Sequence, residues 1–421
     1  MPSVPSAERP FFPLDEQLAL LPGGLMPFTH ECLVRLAAWI PFEKAAQLIE
    51  EMLGVVVSPA TVTRCTEAAG AAYVQLQTEE ADHIEQAAPP APGGAEKMIL
   101  SADGAMVPLR HGEWGEVRTL AVGEVQAAVK EQDTWEVSTR DISYFSRLVD
   151  ARGFEHLSLV EIHRRGLEHS RQVAAVNDGA DWLQNLIDYH CPQALRILDF
   201  PHAAQRVGQV GQALLGEGTS ETNQWIEAHL HRLKHQGPAE LLEELRNLFE
   251  QHPELDVLKE NLAYLEKREL QMNYPAFQEQ GWPIGSGMVE SGNKLVVEAR
   301  LKGAGMHWER NNVNAMLGLR NILCSDRWSE EWPLIAHQLR KQAREERNQK
   351  REKRRLARSP VFSQATEAIE VANVSQPPEA TPKKKTERLK SNRSKKPAAN
   401  HPWRHSPIGR ARYGPSKNAK I

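Results

Sequence analysis

The chain has 421 residues, 41% of them hydrophobic and 25% charged, with a formal net charge of −4. That length and composition exclude a disordered or collagen-like polypeptide and provide for two or three domains with a substantial core. No segment has the length and apolarity of a membrane helix, and the N-terminus lacks the regions of a secretory leader, so a soluble cytoplasmic protein with no membrane partner is expected.

The four cysteines (Cys32, Cys65, Cys191, Cys324) are far apart and form no CxxC pair, which points away from a disulfide framework or a structural zinc site. The charge is segregated. From Lys341 to the end there are 22 Lys and Arg against 7 Glu and no Asp, whereas the first 340 residues hold 29 basic and 48 acidic residues. The tail's Pro, Ser and Lys content predicts disorder over much of its length, and its charge suits contact with phosphates.

In chain order, residues 1–86 read as a helical domain. Pro41 opens a helix over 42–53 whose apolar stripe is Phe42, Ala45, Ala46, Leu48, Ile49, Met52 and Leu53, and Gly54 closes it. Ser58 then caps a helix with Pro59 at its first position, running to about Gly70. A helix, a short turn and a capped helix offering Thr61, Thr63 and Arg64 have the helix-turn-helix shape of a DNA-binding domain, although helical hairpins that bind nothing share it. The Ala- and Pro-rich stretch within 87–96 reads as a linker.

Strands follow at 97–109 and 117–125, with a third between 135 and 148. A helix over 154–165, a buried strand at 173–176, a helix over 182–189 and a fifth strand at 194–198 complete the series. The order β-β-β-α-β-α-β, opening on a meander, predicts a mixed sheet with helices on its faces, which is the order of the RNase H-like fold. The stretch 202–272 is all helical in pattern. The expected α/β organisation is therefore a core in two parts (97–204 and 281–335), a helical insertion (205–280) between them, and a basic tail over 336–421.

Three acids stand out. Asp103 and Asp178 each end or follow an apolar strand and precede a glycine, and Glu290 lies in the first turn of a helix opened by Gly285-Ser286-Gly287. Two strand aspartates and a helical glutamate are the parts of a two-metal phosphoryl-transfer site, where a pair of Mg²⁺ or Mn²⁺ ions needs about three carboxylates converging from separate elements. In the expected fold the first and fourth strands are neighbours, which brings Asp103 and Asp178 together. Asp-Gly is also a turn signal. Asp199, in Leu198-Asp199-Phe200-Pro201-His202, is the rival second acid. It could join His202 on a metal or phosphate, or it could simply cap a helix. Asp178 is preferred because its strand lies next to the first, leaving Asp199 and His202 accessory. Lys294, Arg300 and Lys302 share the glutamate helix and suit phosphates, or a solvated face. Trp308 suits a frayed base or, better, a buried position.

Over residues 40–330 the chain resembles a bacterial insertion-sequence transposase of the DDE class, most similar to the ISKra-type group and more distantly to the Mutator-like transposases. The most specific part is the run from Gly281-Trp282-Pro283-Ile284-Gly285-Ser286-Gly287-Met288-Val289-Glu290 to Met306-His307-Trp308. Asn177-Asp178-Gly179-Ala180-Asp181-Trp182, Leu198 to Ala203, and His401-Pro402-Trp403-Arg404 add to it. The resemblance implies an RNase H-like core whose catalytic, metal-binding acids are Asp103, Asp178 and Glu290, and DNA partners at the element's inverted-repeat ends and target. It also implies assembly into a homo-oligomer on those ends. Asn177 stands where similar sequences often have Gly. A transposase-derived DNA-binding regulator and an RNase H-like structure-selective nuclease are the alternatives.

Overall fold

The computed structural model describes residues 20–21, 24–127, 129–131 and 134–357. The described residues up to Arg351 fall within one compact unit. No helix among the described residues is long and apolar enough to cross a membrane.

Three helices open the first unit: α1 (Pro27–Trp39), α2 (Phe42–Leu53) and α3 (Pro59–Ala87). In α2 the apolar stripe is narrower than its pattern predicts. Ala45, Ala46 and Ile49 are buried, but Met52 and Leu53 are exposed. Gly54 ends it in the left-handed region, at φ 67°, where glycine has no steric penalty. Ser58 caps α3 by accepting from the Thr61 N–H at 3.2 Å.

Contrary to expectation, α3 does not stop near Gly70. It runs 29 residues and enters the stretch predicted as linker. Gly70 serves as a close-approach point: a Cβ there would strike the carbonyl of Ala315. The helices α1–α3 bury their apolar faces in one core with Leu319, Ile322 and Leu323, and with Trp328, Trp332, Ile335, Ala336 and Leu339. These partners come from two late helices, Arg310–Cys324 and Trp328–Ala357. The stretch expected to be tail from 336 onward is thus buried as far as Leu339.

The sheet has five strands in the order β5-β2-β1-β6-β7. They are β1 (Lys97–Pro108), β2 (Trp114–Val125), β5 (Thr139–Arg147), β6 (Gln172–Asn177) and β7 (Leu195–Leu198). Between β2 and β5, β3 (Val129–Glu131) and β4 (Thr134–Glu136) form a separate two-stranded ribbon. The antiparallel pairs are β1 with β2 and β2 with β5. The strands β6 and β7 extend the other edge in parallel, as crossover helices require. These helices are α4 (Ala151–Arg164) and α5 (Asp181–His190). The fold is therefore α/β with a mixed sheet.

Alternation along β1 sorts its side chains. Met98, Leu100 and Ala102 pack with Phe154, Leu183 and Leu186 of α4 and α5. Ile99 faces the other way, into a core with Leu241, Leu245, Leu258 and Leu265. That second core belongs to the helical insertion: α6 (Phe200–Leu215), α7 (Ser220–Gln236), α8 (Ala239–Gln251), α9 (Asp256–Glu266) and α10 (Tyr274–Glu279). Val257 in α9 is exposed, beside buried Leu258.

The glutamate helix lies on the same side of the sheet. It consists of α11 (Gly287–Gly292), a π-helical stretch (Asn293–Glu298) and α12 (Ala299–Leu301). Val289, Val296, Val297 and Leu301 pack there with Tyr144, Val117 and Ala121. The two late helices are α13 (Arg310–Cys324) and α14 (Trp328–Ala357).

Candidate active site

Register sets the site. Lys97 of β1 pairs with Gln172 of β6, and Leu100 with Ala175. Carried three residues onward, the same offset sets Asp103 opposite Asp178. Asn177 pairs with Leu198 of β7, so one further step sets Asp178 opposite Asp199. Three aspartates therefore line up across β1, β6 and β7, Asp103 within its strand and Asp178 and Asp199 just past the carboxyl ends of theirs. Ligands of open α/β sheets bind at that edge. The main chain locks the row: the Asn177 side-chain carbonyl accepts from the Ala102 N–H at 2.7 Å, and its backbone carbonyl accepts from the Asp199 N–H at 2.8 Å.

Each aspartate is held differently. Asp103 is half-buried, and it accepts from its neighbour's Gly104 N–H at 2.7 Å and from Asn293 Nδ2 at 2.9 Å. Burial pushes its carboxyl above the usual range, and the Asp178 charge adds to the effect against these two donors. Asp178 accepts from the Ala180 N–H at 2.8 Å. The insertion clamps its turn. The Tyr264 hydroxyl donates to the Asp178 carbonyl, and Arg268 donates to the Gly179 carbonyl through Nε and Nη2 at 3.2 and 2.5 Å. Arg268 also stacks on the Tyr264 ring, 3.8 Å from its centroid. Gly179 sits at φ 80°, and a Cβ there would meet the Arg268 side chain.

Asp199 is fully buried and caps α6. One of its oxygens accepts from the Ser286 N–H at 2.6 Å, and the other meets His202 Nδ1 at 2.5 Å. Burial raises its carboxyl, but the His202 and Ser286 hydrogen bonds outweigh that and hold it below the usual carboxylate range. The Asp199 hydrogen bond raises the His202 imidazole against desolvation, helped by the charges of Asp199, Asp178 and Asp103. The side chain of His202 remains 41% exposed.

Glu290 is exposed in α11 and meets the Ser286 hydroxyl at 3.4 Å. Its helix is tied to the row at two points: Asn293 to Asp103, and Ser286 to Asp199. The structure thus brings Asp103, Asp178, Asp199 and His202 to one edge and fastens the glutamate helix beside them. Among the described residues, no three His, Cys, Asp or Glu side chains form a group that could hold a metal ion. The donor chemistry nonetheless suits a hard divalent cation. Two neighbouring carboxylates repel each other, and the Asn293 side-chain oxygen is buried without a hydrogen-bond partner among the described residues.

The other predicted residues divide. Arg300 is not available to phosphate. It is 2% exposed, donates from Nε to the Ala37 carbonyl at 3.0 Å and lies between the rings of Phe42 and Trp308. Burial lowers its guanidinium to about 10. Lys302 pairs with Glu298 at 2.7 Å, while Lys294 is exposed. Trp308 is buried, its ring N–H donating to the Leu301 carbonyl at 3.1 Å. In α3, the Thr63 hydroxyl turns back to the Pro59 carbonyl and Thr61 meets Ser58, whereas Arg64 is exposed. His401-Pro402-Trp403-Arg404 lies outside the described residues.

Sequence reading missed Asn293, Ser286, Tyr264 and Arg268. The first had a signal: it lies three residues after Glu290, hence on the same helix face. The clamp residues had none, since only the folded insertion brings them to the Asp178 turn. No family model and no curated protein matches the chain.

Proposed function

We propose that the chain is a DDE transposase with an RNase H-like core, which cleaves the 3′-phosphodiester at the inverted-repeat ends of a mobile element and joins the freed 3′-OH to target DNA. The observation that carries this reading is the aspartate row, Asp103 within β1 close to Asp178 just past the adjacent parallel strand β6, with the Glu290 helix hydrogen-bonded to Asp103 through Asn293. Asp103, Asp178 and Glu290 would hold two Mg²⁺ or Mn²⁺ ions, which supply charge neutralisation and an activated nucleophile when bound. The chain's own part is positional. Asn293 and Gly104 orient the Asp103 carboxylate, and Tyr264 and Arg268 fix the turn bearing Asp178. His202, held by Asp199, presents an exposed imidazole edge beside both acids, suited to a phosphate oxygen.

For recognition, the reading assigns the capped start of α3, with exposed Arg64, to the element ends, and the basic tail to phosphates at any sequence. Lys294 on the glutamate helix is an exposed cation suited to the strand being cut. Oligomer formation on paired ends belongs to the same reading.

The test is cleavage of DNA carrying the element ends, in Mg²⁺, by the full chain and by Asp103→Asn, Asp178→Asn and Glu290→Gln. Each substitution is expected to lower cleavage by about a thousandfold or more while end-binding stays within about twofold, because ligand loss removes transition-state stabilisation and not recognition. Retained cleavage in Asp178→Asn together with loss in Asp199→Asn would transfer the second acid's role to Asp199. Joined products distinguish a transposase from a nuclease of similar fold, which leaves only cut DNA.

A further inference from the structure

The residue that joins the glutamate helix to the sheet has two ends, and only one of them is used. Asn293 is 6% exposed. Its Nδ2 donates to Asp103 Oδ2 at 2.9 Å, and its Oδ1 is buried without a hydrogen-bond partner among the described residues. Turning the amide over would set its oxygen against the Asp103 carboxylate, so the observed orientation is the one the charge requires. A buried amide oxygen with no donor is costly unless something supplies the missing partner.

The position of Asn293 is closely determined. It begins the π-helical stretch Asn293–Glu298, a distortion found often at functional sites. Gly292 just before it lies against the Tyr144 ring, where a Cβ would come within 2.7 Å of the ring carbon, so the helix rests deep on the sheet. Glu290 is one turn earlier on the same face.

We propose that Asn293 is a further member of the site with two roles. Its N–H holds the Asp103 carboxylate in place, and its side-chain oxygen serves as a neutral ligand to a divalent cation or to that cation's water. This rests on the reading of Asp103 as a metal ligand. A neutral amide suits the position in both roles. Aspartate there would set a second carboxylate against a half-buried one, and leucine would leave Asp103 held by Gly104 alone. Oxygen donors of this kind are ordinary ligands for Mg²⁺ and Mn²⁺.

The experiment is a Mn²⁺ titration of the full chain without DNA, followed by electron paramagnetic resonance, alongside cleavage assays and melting temperatures. Asn293→Leu keeps the branched heavy-atom shape and removes both polar groups. It is expected to bind Mn²⁺ about tenfold more weakly than the unsubstituted chain and to cleave at least about tenfold more slowly, the scale of effect seen when groups that orient metal ligands are removed. Asn293→Asp restores an oxygen but not the donor, so it should bind Mn²⁺ at least as tightly as the unsubstituted chain and still cleave about tenfold more slowly. Asp103→Asn is the control and should lose Mn²⁺ binding. Unchanged Mn²⁺ affinity in Asn293→Leu, with loss in the control, overturns the role of Asn293 and leaves the site reading standing. Unchanged affinity in the control overturns both. If Asn293→Leu does not fold, Asn293→Asp decides, and weakened Mn²⁺ binding in that variant overturns the proposal.

Discussion

Asp199 and His202 show how a buried acid stays charged: two backbone N–H groups and an imidazole replace the lost water. The pair has a pH signature. His202 is raised, so its contribution to stability is complete below the ordinary histidine value and lost as pH climbs through its folded value. Asp199 is lowered, so its contribution is complete above the ordinary aspartate value and lost as pH falls through its folded one. The pair therefore stabilises most between about pH 4 and pH 6.5. The melting-temperature gap between the unsubstituted chain and His202→Ala, measured in chelator, should be widest in that window and narrow toward pH 9. A gap that widens with rising pH would contradict the assignment. Residues such as Arg300 show where a sequence falls silent at this scale. A cation between apolar neighbours reads as surface, because nothing in Ala299-Arg300-Leu301 announces the Ala37 carbonyl that awaits it.

Among the elements, the sheet was the most legible. Its strands are apolar and bounded by turn residues, and the spacing from Asp103 to Asp178 to Asp199 continues the strand register, readable once the strands are paired. The length of α3 was not legible. Gly70 looks like a helix end but exists for the approach of Ala315, a neighbour far along the chain. The π-helical stretch and the insertion's clamp were hidden for the same reason. That clamp carries a prediction. Arg268→Ala removes both hydrogen bonds to Gly179 and the stack on Tyr264, leaving the Asp178 turn free to shift. Displacement of a ligand by a fraction of an ångström to one ångström costs about ten- to a hundredfold in rate, so cleavage should fall by that much with KM for DNA unchanged. A rise in KM with kcat unchanged would show that Arg268 touches DNA and does not position the acid.

Across the whole molecule, charge separates from chemistry. The acidic row and the −19 carried by the first 340 residues repel a polyanion, and the excess of basic over acidic residues lies from Lys341 onward. Gln342 still reaches the body, donating to Gln75 at 2.9 Å, so the useful deletion starts after it. Residues 344–400 hold 16 Lys and Arg against 7 Glu. Their removal should weaken binding to element ends and to random DNA by the same factor. The logarithmic salt slope should flatten by about 0.9 for each phosphate no longer neutralised. Preference for the element ends should survive, since charge alone does not read base edges. Titrations across salt on both DNAs measure it, and an unchanged slope would show that the segment does not touch DNA.

The core that α1–α3 share with α13 and α14 has a consequence in time. Leu33, Val34, Ile49 and Val62 are made early, yet Ile322, Trp332 and Leu339, which cover them, are made about 250 residues after α3 ends. At ribosomal speed that is an interval of roughly 12–50 s with apolar helix faces uncovered. Any product truncated before α13 lacks every one of these late partners, so this core closes only once synthesis has passed Leu339.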